Sequence, residues 1–344
     1  MLPATLFAFE LRRGAPQAVR ESERMREALP LDADIRNFEE MTERDIDSET
    51  SLRRIGVVGA GVIGASVAQA LAQTGHDVVL VDISEGALSR AEVDISRNVR
   101  FHHLVSGENR LDVGSVLSKI AFTEDYAALG DSELVIENAT EVWAVKLEVF
   151  GRLDEVCSET CTFAANTSAF PITKLGAATR RPDRVVGIHF MNPVPLKPVA
   201  EVIPGGQTSA ITLARALALL EQMGKEGIVV GDSPGFVSNR VLMLTVNEAA
   251  FLVYEGVASA QIVDDIFKKC FGHPMGPLET ADLIGVDTVL RSIEVLHDEF
   301  SDDKYRPCPL LQSMVAAGAL GRKSGSGFHE YAGKPPRRGE EAVR

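Results

Sequence analysis

The chain has 344 residues, 45% of them hydrophobic, and a formal net charge of −14. That length exceeds the roughly 250–300 residues at which a single core stops growing, so more than one domain is expected. The acidic balance opposes binding to nucleic acid or to an anionic membrane, and it leaves a small-molecule partner held by local positive groups. Four cysteines, Cys157, Cys161, Cys270 and Cys308, are too few for a disulfide framework. Cys157 and Cys161 have no nearby histidine and read as ordinary thiols, so no metal is expected. No apolar run reaches the length of a membrane span, and the N-terminus lacks a signal-peptide pattern, so the expected location is the cytoplasm.

Residues 1–51 carry charge without a sustained period and read as a flexible extension. Met41, shortly before the first strand, is read as an alternative start of translation. From Arg54 the pattern alternates: "RIGVVGA" as a strand, "IGASVAQALAQTG" as a helix closing on glycine, "DVVLVD" as a strand, then a long polar helix over residues 84–103. His102 and His103 on that helix are expected to be exposed. "KIAFTED" and "SELVIENA" continue as strands, followed by the helix "EVWAVKLEVFGRLDEVC" and the strands "CTFAANTS" and "RVVGIHF". Trp143 in that helix reads as a packing residue. Strands apolar on both faces, alternating with helices, indicate a mostly parallel sheet covered on each side: a doubly wound, Rossmann-type α/β domain over residues 52–232.

Beyond "EGIVVGDSPGFVSNR" the character is helical only, with Pro234 and Gly235 marking a junction near Ser233. "SNRVLMLTVNEAAFLVYEG" is apolar on most faces and reads as a buried helix, and "SAQIVDDIFKKCFG" opens on a serine suited to an N-cap. An all-helical domain is therefore expected over residues 233–331, with a frayed tail at 332–344.

Gly59, Gly61 and Gly64 form G-x-G-x-x-G between a strand and a helix, with Asp82 at the end of the next strand. In that context Gly59 allows the tight turn, Gly61 the approach of a pyrophosphate, and Gly64 close helix packing. Amide groups at the helix N-terminus face the negative charge. Ala60, Val62 and Ile63 complete this dinucleotide loop. Asp82 accepts ribose hydroxyls and repels a 2′-phosphate, which favours NAD over NADP.

"RVVGIHFMNPVPLKPVAEVI" brings His189 to the carboxyl end of a strand, where ligands bind on open α/β sheets, and places Glu201 beyond a proline-rich turn. Oxidation of an alcohol requires a base for the hydroxyl proton, and imidazole suits reversible transfer. Glu201 is then positioned to orient the ring and stabilise its charged form.

In order and interval, "GAGVIG", "ENATEVWAVK", "NTSAFPIT", "HFMNPVPLKPVAEVI", "DSPGFVSNR", "HPMGPLETADLIGVDT" and "GRKSGSGF" resemble the short-chain L-3-hydroxyacyl-CoA dehydrogenases, including bacterial 3-hydroxybutyryl-CoA dehydrogenases. The resemblance covers residues 54–331. It implies oxidation of a 3-hydroxyacyl-CoA to the 3-oxoacyl-CoA, with His189 as catalytic base and Glu201 as its partner. It further implies that Ser168 and Asn239 contact the substrate oxygen and the imidazole, and that Glu141, Lys146, Asn192 and Lys323 contact NAD. A homodimer formed through the helical domain is also implied.

In this family the long helix after the second strand carries lysines that meet CoA. Here "SEGALSRAEVDISRNVRFHHLVSG" has none, although Arg90, Arg97 and Arg100 supply positive charge. The alternative substrate is therefore a hydroxyacyl unit, such as hydroxymalonyl, on an acyl carrier protein in polyketide precursor supply. A non-catalytic NAD-binding protein is the remaining reading, and its mark would be loss of His189 or Glu201.

Overall fold

A computed structural model describes residues 50–106, 111–168 and 170–331. The expected flexible extension, the Met41 start and the frayed tail lie outside the described residues, apart from positions 50 and 51. The chain divides into two compact units. The first comprises the described residues up to Ala165 together with Gly176–Gly231; the second comprises Asn166–Leu175 and the chain from Asp232 onward.

The first unit is built on an eight-stranded sheet in the order β3-β2-β1-β4-β5-β6-β7-β8. Strands β1 (Arg54–Val58), β2 (Asp77–Val81), β3 (Ile120–Thr123), β4 (Leu134–Glu137), β5 (Thr162–Ala165) and β6 (Val185–Phe190) run parallel. Strand β7 (Val199–Pro204) runs antiparallel to β6, and β8 (Glu226–Val229) runs parallel to β7. The reversal between β2 and β4 on either side of β1 creates a crevice at the carboxyl ends of these strands.

Helix α1 (Val62–Gln73) follows β1, α2 (Glu85–Ser106) follows β2, and a short α3 (Val113–Leu117) precedes β3. Helix α4 (Trp143–Val156) joins β4 to β5, and α6 (Ala210–Gln222) joins β7 to β8. Between β5 and β6 runs the short α5 (Ile172–Ala177), at whose end the two units divide. One core unites β1, β2 and β4 with the apolar stripes of α1, α2 and α6, through residues such as Val67, Leu71, Ile95 and Leu219. Phe150 of α4 meets Phe163 of β5 edge to face.

His102 is buried, contrary to the exposure expected for it. It follows Ile95 and Val99 at helical spacing and so falls on the inward stripe of α2.

In the second unit, α7 (Ser238–Tyr254), α8 (Ala260–Phe271), α9 (Pro277–Ile284), α10 (Val286–Phe300) and α11 (Pro309–Ala316) pack around two apolar clusters. The Ser259 hydroxyl caps α8 by accepting from the Ile262 amide, as its sequence predicts. Helix α7 is less enclosed than its composition suggests: Met243, Val246 and Ala250 face inward, whereas Val241 is 61% exposed and Tyr254 56%. Two fully buried aspartates fasten the end of the described chain. Asp282 accepts from the Phe328 and His329 amides at 2.9 Å and from the Tyr331 hydroxyl at 3.0 Å, and Asp264 meets His329 Nε2 at 2.6 Å. Asp232 accepts from the Ile172 and Thr173 amides at 2.8 Å, which explains why the segment before Gly176 groups with the helices.

No helix among the described residues is long and apolar enough to cross a membrane. The four cysteines are free thiols, and Cys157, Cys161 and Cys308 are buried.

Candidate active site

The glycine loop leaves β1 at Val58. Gly59 has φ +95°, and a Cβ there would stand 2.7 Å from the Asn138 carbonyl oxygen. A Cβ on Gly64 would stand 1.8 Å from the Gly59 oxygen, so helix and loop meet only without a side chain. Gly61 differs: nothing in the protein lies within 4 Å of its Cβ position. Its missing side chain serves no intramolecular contact, which fits a backbone kept bare for a pyrophosphate. Val62 and Ile63 open α1, and α1 has no acidic residue in its first turn to oppose an anion.

Asp82 stands just beyond β2. Its carboxylate accepts from the Ala60 amide at 2.7 Å and the Ser84 amide at 2.9 Å. The acid read as a ribose ligand therefore also braces the loop that would carry the phosphates. The donor set fits NAD: bare backbone at Gly61, a helix N-terminus, and an acid one strand over.

Glu137, at the carboxyl end of β4, is not singled out by any spacing in the sequence. It is fully buried, as is Lys146 of α4, and Lys146 Nζ donates to both its oxygens at 2.8 and 3.1 Å. The Ala139 amide adds a third bond. Burial pushes the Glu137 carboxyl up from its ordinary range, against the pull of Lys146. Glu141 also reaches Lys146, at 3.4 Å, and keeps part of its side chain exposed. Lys146 presents no surface of its own, so the direct cofactor contact expected of it has no open atom here; Glu141 does have one.

Strands β6 and β7 pair His189 with Glu201, and Nδ1 lies 2.8 Å from Oε2. Both side chains are largely buried, at 11% and 8% exposure. With Nδ1–H donated to the carboxylate, the lone pair of the neutral ring lies on Nε2. Asn192 lies in the turn between the two strands, exposed, and is joined to Pro193 by a cis peptide bond.

In the second unit, Asn239 near the start of α7 donates from Nδ2 to the Ser168 carbonyl oxygen at 3.2 Å. Lys323 forms an ion pair with Asp287, at 2.5 and 2.7 Å to its two oxygens. Within each unit the expected residues thus fall into small groups: the glycine loop with Asp82, Glu141 with Lys146, His189 with Glu201, and Ser168 with Asn239.

The NAD binding domain of the 3-hydroxyacyl-CoA dehydrogenases matches residues 54–233, and their C-terminal domain matches residues 235–331. The chain belongs to the 3-hydroxyacyl-CoA dehydrogenase family. It is 44% identical over 287 residues to a probable 3-hydroxybutyryl-CoA dehydrogenase of Bacillus subtilis, covering 82% of this chain and 99% of that protein. It is 45% identical over 278 residues to a probable 3-hydroxybutyryl-CoA dehydrogenase of Deinococcus radiodurans, covering 81% of this chain and 100% of the other. Among solved structures, the (S)-3-hydroxybutyryl-CoA dehydrogenase of Ralstonia eutropha superposes with TM-score 0.77 at 43% identity, over 82% of this chain and all of that one. Membership makes this protein an NAD-dependent oxidoreductase, and its Rossmann-type sheet and helical C-terminal domain are those of the family.

Proposed function

We propose that the protein oxidises a 3-hydroxyacyl-CoA, such as (S)-3-hydroxybutyryl-CoA, to the 3-oxoacyl-CoA. The observation that carries this reading is the His189–Glu201 contact at the carboxyl end of the sheet. NAD supplies the hydride acceptor when bound. The bare backbone at Gly61 and the N-terminus of α1 would receive its pyrophosphate, in a loop that Gly59, Ala60 and Gly64 shape, and Asp82 would hold its ribose. Glu141, steadied by Lys146, would add a polar contact, as would Asn192.

His189 takes the substrate hydroxyl proton at Nε2. As the ring becomes imidazolium, Glu201 at Nδ1 stabilises the positive charge and keeps the ring from turning. Such a base typically contributes roughly 10²–10⁴-fold. The family resemblance assigns Ser168 and Asn239, themselves joined through Asn239 Nδ2 and the Ser168 carbonyl oxygen, to the substrate. The reverse direction, reduction of the 3-oxo compound, uses the same proton at the same nitrogen.

The absence of lysine along α2 favours one alternative carrier, an acyl carrier protein bearing the hydroxyacyl unit. NADH formation from NAD with (S)-3-hydroxybutyryl-CoA, run beside carrier-protein-linked substrates, separates the two. Turnover on the CoA ester supports the first reading, and turnover only on the carrier-linked substrate replaces it.

A homodimer through the helical unit is part of this proposal. Its support is the apolar side chains left exposed on α7 and α8, including Val241, Tyr254, Ile262, Ile266 and Phe271. Light scattering that returns the mass of one chain would refute it.

A further inference from the structure

We propose that Lys225 is a positioning residue for the His189–Glu201 pair, its buried ammonium holding closed the turn that returns Glu201 beside His189. Lys225 lies between α6 and β8, just after Gly224 bends the chain with φ +66°. Its side chain is largely buried, and Nζ donates to the Val194 carbonyl oxygen at 2.6 Å and to the Lys197 carbonyl oxygen at 2.7 Å. Both oxygens belong to the connection from β6 to β7.

Three features separate this contact from an ordinary surface lysine. First, its described partners are carbonyl dipoles and include no carboxylate, and burial alone moves the amine below its ordinary pKa. A buried cation without an acid partner is costly, so the turn must be a place where that charge is useful. Second, Val194 is gripped at both polar groups, since the Ser66 hydroxyl of α1 accepts from its amide at 3.1 Å while Lys225 takes its carbonyl. The turn is thereby tied to the helix that begins at the glycine loop. Third, the Glu226 amide donates to the Pro198 oxygen at 2.7 Å, so Lys225 sits where β8 begins its pairing with β7.

Phe190 pairs with Ala200, next to His189 and Glu201, and the ladder then gives way to the turn. Beyond that point the pairing of β6 with β7 depends on how the turn is held. A slip of one residue would carry Glu201 to the opposite face of the sheet. Smaller displacements leave the ladder intact and lengthen the Nδ1–Oε2 contact.

The inference rests on His189 and Glu201 acting as a dyad, and a double-mutant cycle keeps the two claims apart. Lys225→Met removes the donors at similar length, and Glu201→Gln removes the dyad charge. In the otherwise native enzyme Lys225→Met is expected to lower kcat by about tenfold to a hundredfold, the scale of a small misplacement, with NADH affinity within about threefold of wild type. In the Glu201→Gln background the same change is expected to cost less than about threefold, because the contact it serves is already lost. A second readout is the imidazole proton that His189 shares with Glu201, whose NMR signal should broaden or disappear in Lys225→Met. Equal losses in both backgrounds, or full kcat in Lys225→Met, would overturn the proposal. If Glu201→Gln alone left kcat unchanged, the dyad itself would be wrong, and that arm reports it separately. Should Lys225→Met fail to bind NADH, Lys225→Arg enters the same cycle, because its wider fork cannot seat both carbonyls as the ammonium does. Non-additivity supports the proposal there as well, and additivity or unchanged kcat overturns it.

Discussion

His189 and Glu201 stand directly opposite each other across antiparallel strands, with Nδ1 and Oε2 2.8 Å apart. In a sheet of parallel strands this single antiparallel neighbour lets two residues twelve positions apart meet side by side. A parallel successor would need a crossover helix before it could return to the same edge. The hairpin thus builds the His189–Glu201 contact locally, on one ladder, at the carboxyl end of β6.

Glu201→Gln should lower kcat by about 10²–10⁴-fold while leaving the strands in place. The amide can present N–H to Nδ1, which favours the tautomer with the proton on Nε2 and removes the free base. Near-native turnover of the variant would show that the carboxylate does not orient the ring.

Gly61→Ala and Gly64→Ala should part company. Gly61 has φ −68° and open space around it, so alanine should change stability by about 1 kcal/mol or less yet weaken NAD binding. The Gly64 methyl would collide with the Gly59 oxygen, and a cost of about 1–3 kcal/mol or more is expected. Thermal melts and NADH titrations of the two variants check this; equal effects of both on melting would contradict it.

Asp82→Ser combined with Ile83→Arg should raise the ratio of NADP to NAD use by about tenfold or more, since a charged hydrogen bond replaces a repulsion. Ile83 is 77% exposed, so the longer side chain has room. The variant also loses the acceptor for the Ala60 amide, and total activity should fall. An unchanged ratio in steady-state kinetics would remove Asp82 from the ribose site.

Tyr331 should ionise late. Burial, and then its bond to Asp282, push its phenol up to about 12. Because the folded state holds this proton more tightly than the unfolded chain, the stabilisation is fully present below the ordinary tyrosine pKa of about 10 and is lost as pH rises towards about 12. Phenolate absorbance of wild type against Tyr331→Phe should lose its most alkaline component; an unchanged titration would contradict the assignment.

The parallel core of the fold is legible in the sequence because β1, β2, β4, β5 and β6 are short apolar runs punctuated by glycine and helix patterns. Strands β7 and β8 are less so. "VAEVIP" carries an acid at its centre, and "EGIV" is a partly exposed edge strand whose burial alternates. The glycine loop announces itself through spacing, and His189 with Glu201 through the resemblance and the turn between them. Glu137 and Lys225 do not, because each is a lone charge whose meaning depends on what the folded chain brings against it. Lys146 illustrates the same limit: its place in the motif is readable, whereas its complete burial between Glu137 and Glu141 is a tertiary fact.

The most direct test is NADH formation from NAD and (S)-3-hydroxybutyryl-CoA, comparing wild type with His189→Gln. A loss of about 10²–10⁴-fold in kcat, with NADH affinity retained, is the predicted result. Turnover by His189→Gln close to wild type would contradict the assignment of His189 as the base.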